Sequence, residues 1–404
     1  MFRRFSLLKA DRLDGDKNID SSFDYLDSDL VYFDSACQSL RPKPVIEALN
    51  LYYKKYNSCG DRVKYDWGIK VDNRVNSVRG EVLSLLKLSK KDYCTSFTLN
   101  TTYGLNLILS QLDVVKIDKV ITSDIEHNSV FLSTISFAKK NNLKREVLVR
   151  NSDGSIDITG TDFKNSVVVL NVVSNFDGRK LLNVKDIVKK VHQQGGIVVI
   201  DAAQAMAHYH QFIAGVEADA ICFSGHKMYG ASLGVIVFRY DLMSKIKPSF
   251  VGGGMVSDVN KDSYDLVSGN PDEAHTIFEA GLQSYGEIIA LGEAIKWLKQ
   301  NQDNSIISNL ADSIFNYLKE SKKVHLVNSK ANAVMSFYVD KVDSDLLAKA
   351  LSDRGIMVRS GYFCVHYYLS RVKSYPPLVR LSLGLHNNEN DVAKFIDAIK
   401  GVVR

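Results

Sequence analysis

Between residues 119 and 238 the chain returns five times to a short apolar stretch rich in β-branched residues. The stretches are KVITS (119–123), SVVVLNVVS (166–174), GIVVID (196–201), AICFS (220–224) and LGVIVF (233–238). Runs this short, and apolar on both alternations, suit strands buried on two faces. Segments such as NVKDIVKKVHQQGG (183–196) lie between them, with apolar residues at helical spacing and a glycine stop. The alternation predicts an α/β fold with a mostly parallel central sheet and helices on both of its faces. After GEIIALGEAIKWLKQ the order changes. A helix, a strand (AVMSFYVD), a helix (DSDLLAKALSDRG), a loop around Cys364, a strand (LVRLSLG) and a last helix (ENDVAKFIDAIKGVV) follow one another. This predicts a small C-terminal α/β domain over 299–404, a large domain over 29–298, and an N-terminal segment, 1–28, that packs with the small domain.

Bulk properties narrow the function. The 404 residues are 45% hydrophobic and 24% charged, ample for a core of this size. The net charge of +5 comes from 51 basic and 46 acidic residues spread along the chain. No basic tract with interleaved aromatics occurs, so no nucleic-acid partner is expected. Five cysteines (Cys37, Cys59, Cys94, Cys222, Cys364) show neither disulfide nor metal-ligand spacing. No metal is expected, and a reducing compartment, the cytoplasm, fits best. The start, MFRRFSLLKADRLDG, reads poorly as a signal peptide, and no later run is long and apolar enough for a membrane span.

In open parallel sheets ligands bind beyond the carboxyl ends of the strands. The polar residues just after the expected strands are His127, Asn175, Asp201, Gln204, Ser224, His226 and Lys227. Earlier, FTLNTTYGLNLIL places Thr101 and Thr102 at a helix start, where free N–H groups and the helix dipole favour an anion. A cofactor with a phosphate, a basic ring nitrogen and an aldehyde would use the whole set. The helix start, Ser224 and His226 would hold the phosphate, and Asp201 would keep a pyridine nitrogen protonated. Gln204 would bond a ring oxygen, His127 would stack on the ring, and Lys227 would form the Schiff base. That is the arrangement of pyridoxal 5'-phosphate (PLP). Taken singly, each residue has a plainer reading. Asp201 is then a helix cap, the threonines ordinary capping, His127 a structural histidine and Asn175 turn chemistry before Gly178.

The motifs FSGHKMYGASLGVIVF, VIDAAQA, SDIEHNS and FEAGLQS resemble those of class V aminotransferase-fold enzymes, which have the fold type I architecture of PLP-dependent transferases. With RSGYFC and VRLSLGLHNNENDV added, the chain resembles the group II cysteine desulfurase/selenocysteine lyase family, from VYFDSACQSLRP onward. The resemblance implies Lys227 as the cofactor lysine, His127 on the ring, Asp201 at the pyridine nitrogen, Gln204 at the ring hydroxyl and Asn175 beside ring and substrate. Thr102, Ser224 and His226 would hold the phosphate, beside Thr101 at the helix start. Arg359 and Arg380 would clamp the substrate carboxylate, a task suited to the planar guanidinium fork. Cys364 would take sulfur from L-cysteine, or selenium from L-selenocysteine, leaving alanine. A homodimer and a sulfur-acceptor protein, typically serving iron–sulfur cluster assembly, are implied as well. The same fold also hosts aminotransferases, epimerases and kynureninase-like lyases. The chain departs from the family at Tyr362 and Phe363, where two histidines are usual, and at Leu282, where a threonine is usual. Ser35 and Cys37 stand where asparagine and alanine are usual.

Overall fold

The structure, a computed structural model, describes residues 19–60 and 63–403. The opening MFRRFSLLKADRLDG, and with it most of the expected N-terminal segment, lies outside the described residues. A seven-stranded sheet dominates. Its strands are β1 (Tyr93–Thr98), β2 (Lys119–Ser123), β3 (Lys144–Leu148), β4 (Ser166–Asn171), β5 (Ile197–Asp201), β6 (Ala220–Ser224) and β7 (Gly234–Arg239), ordered β1-β7-β6-β5-β4-β2-β3. Strands β2 to β6 run parallel, and β7 is antiparallel to both of its neighbours. The mostly parallel α/β sheet expected from the sequence is therefore present.

The double burial follows from the strand period of two. In β4 and β5, Val168, Leu170, Val198 and Ile200 enter one core, while Val167, Val169, Ile197 and Val199 enter the core on the other face. The helix Val184–Gln193 covers the first face with Val184, Ile187, Val188 and Val191, one apolar stripe at helical spacing. Helices Thr101–Gln111 and Asn128–Asn141 cover the second. Two strands are absent from the sequence expectation. β1 (YCTSFT) has three serine or threonine residues among its six, and its core is completed by Tyr93 and Phe97 while the buried hydroxyls find partners: Ser96 donates to His275 and Thr95 to Arg79, both at carbonyls. β3 (KREVL) is a charged edge strand, the usual means of keeping a sheet edge from pairing further.

A second, antiparallel sheet joins β8 (Val324–Leu326), β9 (Val334–Val339), β10 (Arg359–Gly361) and β11 (Leu378–Ser382) in the order β8-β9-β11-β10. Arg359 therefore belongs to a strand. It faces Arg380 directly across the β10–β11 ladder. The early strand Val31–Tyr32 pairs in parallel with Ile356–Met357, and Asp34 bridges to Ser382. This register carries a carboxylate from the start of the chain to the two arginines near its end. No helix among the described residues is long and apolar enough to cross a membrane.

Candidate active site

A cavity of about 660 Å³ opens at the carboxyl ends of β4, β5 and β6, where ligands of parallel sheets collect. All nine residues expected to hold the cofactor line it: Thr101, Thr102, His127, Asn175, Asp201, Gln204, Ser224, His226 and Lys227. Asp201 ends β5 and Ser224 ends β6. Lys227 closes the short turn Gly225–Lys227 that follows. Only glycine fits at 225, because a Cβ there would stand 2.7 Å from the Ala231 carbonyl oxygen.

Asp201 is buried, and its Oδ1 accepts from the Ala203 N–H at 2.9 Å. No helix begins there, so the capping alternative does not apply. Burial raises the Asp201 carboxyl, an effect that the nearby Lys227 charge opposes. Burial lowers the Lys227 ammonium in turn, with Asp201 pulling the other way and Arg380 adding to the shift. His127 caps the helix Asn128–Asn141, its Nδ1 accepting from the Ser129 N–H at 3.0 Å. Burial and the charges of Lys227 and Arg380 push its imidazole down to about 3, so the ring is neutral at physiological pH. His226 is held down to about 4 by burial, Lys227 and Arg41.

The anion end differs in detail from the expectation. The helix does start at Thr101, but its N–H groups are partly used. Thr101 N–H donates to Ser224 Oγ at 2.9 Å, and Asn100 Oδ1 accepts from Tyr103 N–H. The hydroxyls of Thr101 and Ser224 lie 2.6 Å apart, one donating to the other. Gln204 also spends one donor on the protein, its Nε2 reaching the Ala36 carbonyl at 2.6 Å. Asn175 donates to the Phe363 carbonyl at 2.7 Å, while its buried Oδ1 has no partner.

That Asn175 bond ties the cavity to the turn bearing Cys364. Val365 N–H donates to the Tyr362 carbonyl, and both central residues are left-handed, Phe363 at φ 49° and Cys364 at φ 59°. Turns of this shape favour asparagine and glycine. Each ordinary residue held there costs roughly 1–2 kcal/mol. The surroundings outweigh that cost. Asn175 holds one carbonyl, Asn128 N–H holds that of Cys364 at 2.6 Å, and hydrogen bonds of this kind return about 0.5–1.5 kcal/mol each. The Phe363 ring is buried among Ile125, Phe176, Val365 and Leu369, which adds roughly 1.5–3 kcal/mol. The turn thus leaves Cys364 exposed on a fixed backbone.

Arg380 has a 3% exposed side chain and lies with its guanidinium over the Phe363 ring, 5.0 Å from the centroid. Its Nη1 donates to the Asn175 carbonyl at 3.0 Å and its Nη2 to Asp34 Oδ1 at 2.8 Å. Arg359, 44% exposed, also pairs with Asp34, through Nε at 3.0 Å and Nη2 at 2.9 Å. Asp34 is the residue that sequence reasoning missed. Its motif, FDSACQS, is visible, but the partner it serves lies more than 300 positions away.

A family model for class-V aminotransferases matches residues 31–395. The chain belongs to the class-V aminotransferase family. A curated relative, a probable cysteine desulfurase of Pyrococcus abyssi, is 29% identical over 94% of this chain and 96% of its own. A probable cysteine desulfurase of Haemophilus influenzae is 28% identical over 92% and 85%. Among solved structures, the apo cysteine desulfurase of Thermococcus onnurineus matches with a TM-score of 0.83 at 28% identity, covering 93% of this chain and 94% of that one.

This class-V chain also buries an ionisable pair beneath the cavity, Glu126 and Arg150. Glu126 accepts from Ser123 Oγ at 2.5 Å and from Asn171 N–H at 2.7 Å. Burial pushes its carboxyl from 4.5 up to about 7, against the pull of Arg150. Because the folded value is raised, the stability this group contributes is complete below about pH 4.5 and is lost as pH rises through 7. Glu126→Gln keeps the bond from Asn171 N–H at its amide oxygen, turns its NH2 to donate to Ser123 Oγ, and removes the titration. Its melting temperature relative to wild type is expected to climb by roughly 2–4 °C between pH 5 and pH 8. A pH-independent difference in thermal melts would contradict this.

Proposed function

We propose that the protein is a PLP-dependent cysteine desulfurase that converts L-cysteine to L-alanine and takes the sulfur as a persulfide on Cys364. The observation carrying this reading is the Asn175 bridge. One residue lines the cavity, bonds the Cys364 turn and accepts from Arg380.

The residues present fit the cofactor. Ser224, Thr101, Thr102 and His226 make a polar end for a phosphate, with Lys227 beside it. The buried Asp201 carboxylate suits a protonated ring nitrogen, and the orphaned Asn175 Oδ1 and the Gln204 amide remain for polar groups of ring or substrate. The neutral His127 offers a flat face. Bound there, PLP would supply an electron sink for a carbanion at the substrate Cα. Lys227, with its ammonium disfavoured by burial, is suited to taking the Cα proton and returning one later. Arg380 and Arg359 hold the substrate carboxylate. The overall change balances: the substrate C–S bond breaks, an S–S bond forms on Cys364, and carbon takes the electron pair and a proton to become alanine. The test is incubation with L-cysteine, with alanine counted against sulfur bound to protein. An exposed Cys364 can then pass its sulfur to an acceptor protein, the entry to iron–sulfur cluster assembly.

A homodimer belongs to the same proposal. Leu99, Phe250, Val251 and Leu282 are exposed, Leu282 to 75%. Gly281 N–H donates to the Gly253 carbonyl at 2.8 Å, and the Phe250 ring meets Tyr103 of the cavity wall, so these residues share one rim. An apolar rim of this kind marks an interface. Light scattering is expected to give twice the chain mass, and Phe250→Asp with Leu282→Arg to halve it. A monomeric wild type would contradict the proposal.

A further inference from the structure

Lys227 and Gln204 line two cavities. One is the candidate active site; the other is a small space of about 10 Å³, walled also by Ser35, His208, Tyr229 and Leu383. A volume of this size admits one water-sized molecule. Its walls come from three parts of the chain. Ser35 follows Asp34, His208 follows the turn carrying Asp201 and Gln204, and Leu383 follows β11, the strand of Arg380. Ser35 and His208 are only 6% and 8% exposed, and among the described residues Ser35 Oγ and His208 Nδ1 have no hydrogen-bond partner. The same holds for the buried Nδ1 of His386. That ring stands beside Ser35, since a Cβ on Gly384 would lie 2.6 Å from Ser35 Oγ and 2.8 Å from His386 Nδ1. Buried polar groups are paired almost everywhere in proteins, and an unpaired one is costly.

The tautomers follow from what each ring already bonds. His386 Nε2 reaches the Tyr32 carbonyl at 2.9 Å; a carbonyl only accepts, so Nε2 carries the proton and Nδ1 is a bare acceptor. His208 spends its proton on the Leu383 backbone in the same way. Burial holds both imidazoles down to about 4, so neither gains a second proton at physiological pH. The set is therefore one hydroxyl donor and two bare nitrogen acceptors. An anion would meet the bare nitrogens with nothing to donate, and a cation could not accept from Ser35. Water does both.

We propose that this cavity is a water-binding site: one molecule accepts from Ser35 and donates to His208, with its second hydrogen turned to His386. It thereby joins the Asp34 turn, the Asp201–Gln204 segment and the end of β11 behind Lys227. The site is independent of which reaction the larger cavity performs.

The experiment is crystallography of the PLP-loaded protein at a resolution that shows ordered water, together with thermal melts. Wild type is expected to show one peak within hydrogen-bond distance of both Ser35 Oγ and His208 Nδ1. Ser35→Ala removes the donor, and is expected to lose the peak and to melt about 1–3 °C lower. Ser35→Asn extends a carboxamide into the same space. It is expected to replace the peak with its own amide and to melt within about 1 °C of wild type. PLP uptake, read by absorbance, should be the same in all three proteins, because Ser35 does not line the larger cavity. A wild type with no peak, or with one that touches neither residue, would overturn the proposal. So would a Ser35→Ala protein that keeps the peak at full height and melts with wild type.

Discussion

Lys227→Ala is expected to lower turnover of L-cysteine by about 10³-fold or more, since a positioned proton-transfer group contributes about 10²–10⁴. Among the described residues no other lysine lines the cavity, so nothing nearby can replace its amine. The variant should fold. It removes a buried cation whose charge burial already disfavours, and the turn holding it is fixed by Gly225 and its backbone bonds to Leu233, Met228 and Gly230. It should still take up PLP at the remaining polar groups, but borohydride should no longer fix the cofactor to the protein. A small primary amine in the buffer should restore part of the activity, because alanine leaves room where the lysine stood. Activity retained above one tenth of wild type, or borohydride fixation at another lysine, would remove Lys227 from the central role.

Cys364→Ala should have an effect of similar size by a different route. Protein-bound sulfur should disappear altogether, and alanine release from cysteine should fall by about 10³-fold or more, as when a nucleophile that works as a unit with its base is removed. Binding of PLP should be unchanged, since Cys364 lies outside the cavity lining and meets the site through backbone bonds of its turn. Alanine at position 364 must still adopt a left-handed φ, so the strain and its compensation by Asn175, Asn128 and Phe363 persist. The split between intact cofactor and lost sulfur transfer separates a chemical role from damage to the fold. If the variant turned over cysteine as well as wild type, sulfur would not pass through Cys364, and another class-V reaction would become the better reading.

The parts legible in the sequence share one property: their signal is local. Strands β4, β5 and β6 are apolar along their middles because both faces are covered, and the polar residues at or just beyond their carboxyl ends fall into the cavity by the geometry of parallel sheets. What escaped depends on distant register. β1 was hidden because its buried hydroxyls are satisfied by Arg79 and His275 carbonyls. Asp34 became a counter-ion only through the pairing of Val31–Tyr32 with Ile356–Met357 and the facing of Arg359 and Arg380. Phe363, which replaces a usual histidine, packs its ring beneath Arg380 and seals the small core around the turn. Consecutive left-handed residues at Phe363 and Cys364 carry no glycine or asparagine to announce them. The helix start at Thr101 was foreseen, but not that Ser224 and Asn100 already occupy part of its donor set.

The most direct test mixes PLP-loaded protein with one equivalent of L-cysteine per site, without added thiol, and then maps protein sulfur by mass spectrometry while alanine is counted. The account predicts one alanine per site and one extra sulfur atom on the peptide carrying Cys364. Alanine without sulfur on that peptide, or sulfur found on Cys37 alone, would contradict it.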